Sequence, residues 1–240
     1  MNLEDTIYKR QSIRKYDNTP LSEETLDELR DFIDNAKVLN PGIAWSYDIA
    51  GPENFRMLQR FKAPHALLLF SQTKENYLQN IGFIFQQVDL YLQSRGIGSC
   101  WIGAGGPKNH ENPNPDHEFV IMMIFGKPQG RIYRESTEFQ RKIICEISDE
   151  RDSKLIPARL APSAANSQTW YFTHNDDGSY NLYRNRRKFN LNRKMDTWNQ
   201  VDMGIVLAHL YVANPDTFEF TRDKPHEELK NKVFEGSFTI

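Results

Sequence analysis

Cysteine is almost missing from this chain. Cys100 and Cys145 are the only two among 240 residues, and no CxxC pair occurs. That excludes a disulfide framework and a cysteine-ligated zinc site, and it suits a reducing cytoplasm. Long apolar runs are missing too. The most apolar stretches, His65–Phe70 and Phe119–Phe125, fall far short of the ~20 residues that span a bilayer. The opening residues, MNLEDTIYKR, are polar and lack the apolar segment of a signal peptide, so a cytoplasmic protein is expected. Neither sign of charge is in excess. With 30 Lys and Arg against 32 Asp and Glu, the net charge is −2, and no overall field draws the chain to nucleic acid or to an acidic membrane. Local basic groups must therefore be read as sites. Low-complexity segments and long linkers are absent, which leaves a soluble enzyme as the natural class.

What is present is a mixture of helical and extended patterns. Ser22 to Ala36 predicts a helix, with Ser22 as N-cap, Glu23 and Glu24 in the first turn, and Leu26, Leu29, Phe32, Ile33 and Ala36 at helical spacing. Asn76 to Arg95 predicts a longer one, with Ile81, Ile84, Phe85, Val88, Tyr91 and Leu92 on its inner side, stopped by Gly96 and Gly98. Asp196 to Ala213 predicts a third, ending before Pro215, and Ser153 to Leu160 a short one. His65–Phe70, Ser99–Gly103, Phe119–Phe125 and Thr217–Thr221 read as strands. Trp170–His174 and Tyr180–Arg184 read as a hairpin turning at Asp176-Asp177-Gly178. Strict βαβ alternation is lacking, so the class is α+β. A faint repeat runs through the chain. Ala36 to Trp45 and Ala161 to Trp170 both follow a helix and lead into a strand, and Gly82-Phe-Ile-Phe and Gly204-Ile-Val-Leu recur at nearly the same offset.

Three stretches carry candidate chemistry. In Arg10-Gln11-Ser12-Ile13-Arg14, an extended backbone places Arg10, Ser12 and Arg14 on one face. Two guanidinium forks and a hydroxyl suit a phosphate or another planar anion; a solvated basic stretch is the plain alternative. In Ala161 to Trp170, the small residues Pro162, Ser163 and Ala164 let backbone approach a flat ligand, and Asn166 and Gln168 each offer a donor and an acceptor. A helix-to-strand loop with Asn in a turn explains the same residues. In Gly96-Ile-Gly-Ser-Cys-Trp-Ile-Gly103, the glycines permit a tight turn and a close approach to an aromatic face. This is not a dinucleotide fingerprint, because its order is helix then strand. A helix C-cap leading into a buried strand accounts for it as well.

Together these stretches resemble the nitroreductase superfamily. Its members carry an R-x-S-x-R/K element near the N-terminus, a P-S-x-x-N-x-Q-P-W loop and a G-x-G-x-x-W-x-G turn after a long helix. Lys62-Ala63-Pro64, Phe125-Gly126-Lys127-Pro128, and Arg141-Lys142 followed by Ile-Ile-Cys-Glu are similar to further family elements, the last lying near the flavin phosphate. The resemblance implies FMN as cofactor, held by Arg10, Gln11, Ser12, Arg14, Trp101, Ile102, Gly103, Arg141, Pro162, Ser163, Ala164, Asn166 and Gln168. Within that set, Arg10, Ser12 and Arg141 would take the phosphate, Arg14 the N1/O2 edge of the ring, and Asn166 and Gln168 the pyrimidine. It further implies ping-pong chemistry. NAD(P)H reduces the flavin and leaves, a nitroaromatic, quinone or related small acceptor reoxidises it, and solvent supplies protons without a catalytic side chain. A non-enzymatic FMN-binding or sensing protein, and a reductive dehalogenase-type reaction on the same fold, are the rival classes; no inserted lid points to the latter.

The departures from the family pattern are informative. Where members place the Ser/Asn/Gln loop after the first helix, this chain has Asn40-Pro-Gly-Ile-Ala-Trp45, and the intact loop stands in the second half, with Thr169 in place of the usual Pro. The second half has no R-x-S-x-R ahead of it. The resemblance therefore implies a single-chain version of the family's homodimer. Residues 1–148 and 149–240 form two nitroreductase-like halves of a monomer with an internal pseudo-two-fold, and one FMN lies between them. Elsewhere, His110 and His117 flank a loop with Glu111 and Asp116, but their spacing matches no zinc or iron pattern. Cys100 reads as a small packing residue, and Trp170, Tyr183 and Trp198 as core or cavity wall.

Overall fold

The computed structural model describes residues 2–109, 112, 114–186 and 193–240. A short helix α1 (Leu3–Ile7) is followed by an extended segment and by α2 (Glu23–Asp34). The second helix starts where Ser22 predicts. The Ser22 hydroxyl accepts a hydrogen bond from the Thr25 amide at 3.3 Å, and Glu23 and Glu24 face the positive end of the helix.

The first sheet is antiparallel throughout. It contains β1 (Trp45–Ala50), β3 (His65–Ser71), β6 (Glu118–Gly126) and β4 (Gly98–Ile102), in the order β1-β3-β6-β4. A small separate pair joins β2 (Phe55–Met57) to β5 (Gly105–Pro107). Leu67, Leu69, Ile121, Met123 and Phe125 face α2 and the long helix α3 (Tyr77–Ser94). Ala66, Leu68, Phe70, Met122 and Ile124 face the other way, against Ile13, Tyr16 and Phe55. Covered on both sides, β3 and β6 have no use for polar alternation, which is why they read as unbroken apolar runs.

The second sheet has the order β7-β8-β10-β9, again antiparallel, from β7 (Trp170–His174), β8 (Tyr180–Asn185), β9 (Glu219–Thr221) and β10 (Lys232–Thr239). The β7–β8 turn closes with Gly178 at φ +79°, as the Asp-Asp-Gly signal predicts. Two short helices, α4 (Ile144–Ile147) and α5 (Ile156–Leu160), precede it, with Pro157 in the first turn of α5 where its missing N–H is harmless. In each sheet the chain lays its strands in the order first, second, fourth, third, with a long helix between second and third.

Those two long helices, α3 and α6 (Arg193–Ala213), pack against each other at the centre. An amphipathic α3 is the expectation from periodicity. The structure instead buries nearly its whole circumference, including Gln79, Asn80, Gln86, Gln87, Asp89 and Gln93, because α6 covers the side that the first sheet leaves open. No helix among the described residues is long and apolar enough to cross a membrane.

Candidate functional site

Two adjoining cavities lie where the extended segment, the end of β4, the loop before β7 and α6 converge. One, of about 360 Å³, is lined by Trp101, Ile102, Gly103, Phe61, Trp198 and Ile205 among others. The other, of about 430 Å³, is lined by Arg10, Gln11, Arg134, Gln140, Arg141 and Asn166. Ser12, Arg14, Pro162, Ser163 and Ala165 border both. The site is thus a largely apolar chamber opening into a cationic one.

The Arg10–Arg14 segment runs extended beside β4, with the Ile13 amide donating to the Ser99 carbonyl at 2.9 Å. Ile13 turns into the core, while Arg10, Ser12 and Arg14 border the cavities as alternation predicts, and Gln11 joins them at the cationic chamber. The two arginines differ sharply. Arg10 is fully buried, its Nε 2.9 Å from Asp89 Oδ2, and its Nη1 and Nη2 have no hydrogen-bond partner among the described residues. Arg14 is exposed and stands at the junction of the chambers. A buried guanidinium with idle donors is costly unless an anion meets it, so the cationic chamber fits a phosphate.

The loop before β7 has an unusual backbone. Ala165, Asn166 and Gln168 all have positive φ, at 51°, 54° and 44°. Such residues persist only where their surroundings hold them. Here Gln168 donates its backbone N–H to Ser163 Oγ at 3.0 Å, Gln168 Nε2 donates to the Asn166 carbonyl, and Gln168 Oε1 accepts from the Lys142 amide. The Ala164 amide donates to the Asp202 carboxylate on α6. Gln168 is placed differently from the other residues expected around the ligand. It is buried and lines neither cavity, and its amide braces the loop against Asn166 and Lys142. Asn166 lines the cationic chamber, not the apolar one. Its Oδ1 accepts from Arg141 Nη1 at 2.6 Å and its Nδ2 donates to the Gln140 carbonyl, so it orients Arg141.

At the end of β4, Trp101, Ile102 and Gly103 line the apolar chamber. The Trp101 indole donates to Gln86 Oε1 at 2.9 Å, which fixes the ring. A Cβ on Gly103 would stand 2.5 Å from Trp198 Cε2, so only glycine lets that indole lie against the strand end. Cys100 packs as expected and also borders the chamber, where burial pushes its thiol pKa up and keeps it protonated.

Arg134 was not legible as a site residue, since no motif surrounds it. It lies over the Phe139 ring at 4.5 Å and lines the cationic chamber with Arg10, Arg14 and Arg141. Burial, with repulsion from Arg10, pushes its pKa down to about 10; burial, with repulsion from Arg10, Arg134 and Arg159, pushes that of Arg141 down to about 9. Both stay charged at neutral pH, and a negative charge placed in the chamber would oppose both shifts. Trp170 and Tyr183 belong to the core, and Trp198 to the wall of the apolar chamber. His117 bonds Ser46 Oγ at 2.8 Å and Asn114 Nδ2 at 3.3 Å; His110 and Glu111 lie outside the described residues.

Comparison with known proteins bears on this geometry. A family model described as "Putative TM nitroreductase" matches residues 2–214. A structure described as a putative nitroreductase from Thermotoga maritima superposes with a TM-score of 0.65 at 20% identity, covering 99% of this chain and 92% of its own. An FMN-dependent nitroreductase from Clostridium difficile R20291 covers 56% of this chain and 93% of its own, at 16% identity and a TM-score of 0.45. A nitroreductase with bound FMN from Desulfitobacterium hafniense covers 59% of this chain and 99% of its own, at 14% identity and a TM-score of 0.45. A search of curated proteins returned no match. With a family match over nearly its whole length and a mixed helix-and-sheet fold shared with a solved relative, the chain belongs to the nitroreductase family.

Proposed function

We propose that this protein binds one FMN and works as a flavin oxidoreductase, passing electrons from NAD(P)H to a nitroaromatic, quinone or related small acceptor. One observation carries this assignment. The fully buried Arg10 guanidinium, with two idle nitrogens, sits in a four-arginine chamber that opens directly into an apolar one. A phosphate tail on a flat aromatic ring has that shape and that charge distribution.

Arg10, Arg141 and Ser12, joined by Arg134, would hold the phosphate. Arg14, at the junction, would face the polar edge of the ring, where a cation favours the anionic reduced form. The strand end at Trp101, Ile102 and Gly103 would form one wall, and Pro162, Ser163 and Ala164 the opposite rim. Bound FMN would supply two-electron redox chemistry; this chain's residues would bind and orient it. No side chain is required as acid or base, since solvent has access through Arg14. The lining comes from residues before 148 and after 149 alike, which supports two halves around one site; we further propose a cytoplasmic monomer.

The purified protein should be yellow or take up FMN, and should then oxidise NADH or NADPH with a nitroarene or a quinone as acceptor. Protein that neither carries nor takes up flavin would defeat the assignment. Flavin binding without turnover on any acceptor would reduce it to a binding function.

A further inference from the structure

We propose that Asp89, which touches neither cavity, is the positioning residue that aims Arg10 at the flavin phosphate; this rests on the FMN reading above. Asp89 lies in the middle of α3 and is fully buried. Its Oδ1 accepts from Ser99 Oγ at 2.6 Å and from Gln93 Nε2 at 3.3 Å. Its Oδ2 accepts from Gln86 Nε2 at 2.9 Å and pairs with Arg10 Nε at 2.9 Å. Ser99, Gln93 and Gln86 thus donate hydrogen bonds to an acceptor-only group, and Arg10 meets it as an ion pair. An amide at this position would direct its NH₂ at two donors whichever way it were flipped.

The same carboxylate anchors the backbone that carries the site. Gln93, bonded to Asp89, accepts the Gln11 amide at 3.0 Å through Oε1. Ser99, also bonded to Asp89, accepts the Ile13 amide at 2.9 Å through its carbonyl. Residues 10, 11 and 13 are thus each held by Asp89 directly or through one partner. On Arg10, the carboxylate engages Nε and leaves Nη1 and Nη2 without partners, on a residue that lines the cationic chamber. On the ring side, Gln86 donates to Asp89 and accepts from the Trp101 indole, so the network reaches the wall of the other chamber as well.

Charge and position make opposite predictions here. If Asp89 acted only as a nearby negative charge, its loss would strengthen binding of an anion. If it aims Arg10, its loss weakens binding of the phosphate and of nothing else. The experiment is titration of flavin-stripped wild-type and Asp89→Asn protein with FMN and with riboflavin, which lacks the phosphate. The expected result is an FMN Kd raised about tenfold or more, against a riboflavin Kd changed by less than about twofold. In an Arg10→Gln background, Asp89→Asn should then add little, because the two residues act as one unit. Unchanged or tighter FMN binding by Asp89→Asn overturns the proposal, and so does equal weakening of both ligands, which marks a merely structural role. Should Asp89→Asn fail to fold, Ser99→Ala removes one donor from Oδ1. It should lower the FMN-to-riboflavin preference by about threefold, and an unchanged preference overturns the proposal. Wild-type protein with no preference for FMN over riboflavin defeats the FMN reading itself, and this assignment with it. A wild type that prefers FMN beside an Asp89→Asn variant that does so equally defeats the Asp89 assignment alone.

Discussion

Gly82 on α3 and Gly204 on α6 are the contact point of the two central helices. A Cβ on Gly204 would stand 1.8 Å from the Gln79 carbonyl oxygen, and one on Gly82 would stand 2.1 Å from that of Val201. Both obstacles are main chain, which cannot rotate away. The helices can lie this close only because neither residue has a side chain.

Gly204→Ala is therefore expected to destabilise the fold by about 2 kcal/mol or more, since overpacking outweighs the better helix propensity of alanine. Urea denaturation measures it. A midpoint equal to wild type would mean that the helices can part without loss.

One FMN per chain is expected, not two. Arginines from the first half and the loop from the second meet at one place, and Val38, Pro41 and Ile43 stand in the first half where the second has Ser163, Asn166 and Gln168. Flavin released by denaturation can be counted against protein. A ratio near two contradicts the split site, and light scattering on the same sample should give the mass of a monomer.

Arg10 and Arg14 should separate binding from redox tuning. Arg10→Ala should weaken FMN binding and leave the potential of bound flavin nearly unchanged, because a phosphate keeps its charge in both redox states. Arg14→Ala should lower the potential and slow reduction by NAD(P)H, since a charge-assisted hydrogen bond contributes roughly 1.5–3 kcal/mol. Redox titration with FMN saturating tests both variants. The reverse pattern means the two roles are exchanged, and no effect from either returns the segment to a solvated basic stretch.

His209 should govern the acid limb of stability. It is fully buried on α6 and its Nδ1 lies 2.9 Å from the Pro157 carbonyl, which it must meet as a donor. Burial, with repulsion from Arg10, pushes its pKa from 6.5 down to about 3. Between those values the unfolded chain binds the proton and the folded chain does not, so stability falls as pH drops from 6.5 toward 3. His209→Asn keeps a donor for Pro157 and removes the titration. Its urea midpoint should depend less steeply on pH in that window, and an equally steep wild-type-like limb would show that other groups control acid unfolding.

Much of this protein is legible without its structure. The caps at Ser22 and Gly96, the doubly buried runs of β3 and β6, and the Asp-Asp-Gly turn of β7–β8 are local signals, set by backbone geometry within a few residues. So are the alternation that puts Arg10, Ser12 and Arg14 on one face and the small residues at Pro162–Ala164. β10 is not legible. Its Phe234-Glu235-Gly236 stretch breaks the pattern at a bulge, where Gly236 adopts φ +137°.

Sequence alone determined the long helices, the central strands, the family resemblance and the three stretches that border the cavities, because those follow from short-range periodicity and local motifs. Only the tertiary structure decided what each polar group spends its hydrogen bonds on. Gln168 and Asn166 have the same donors and acceptors, yet one bonds the Lys142 amide and the Asn166 carbonyl and the other turns to Arg141. Arg134 joins the cationic chamber from a stretch with no motif, and Asp89 meets Arg10 from the middle of a helix that reads as amphipathic. Polar contacts at 2.6–3.0 Å between residues tens of positions apart depend on how the extended segment, α3 and the loop before β7 are packed together, and no local pattern encodes that distance.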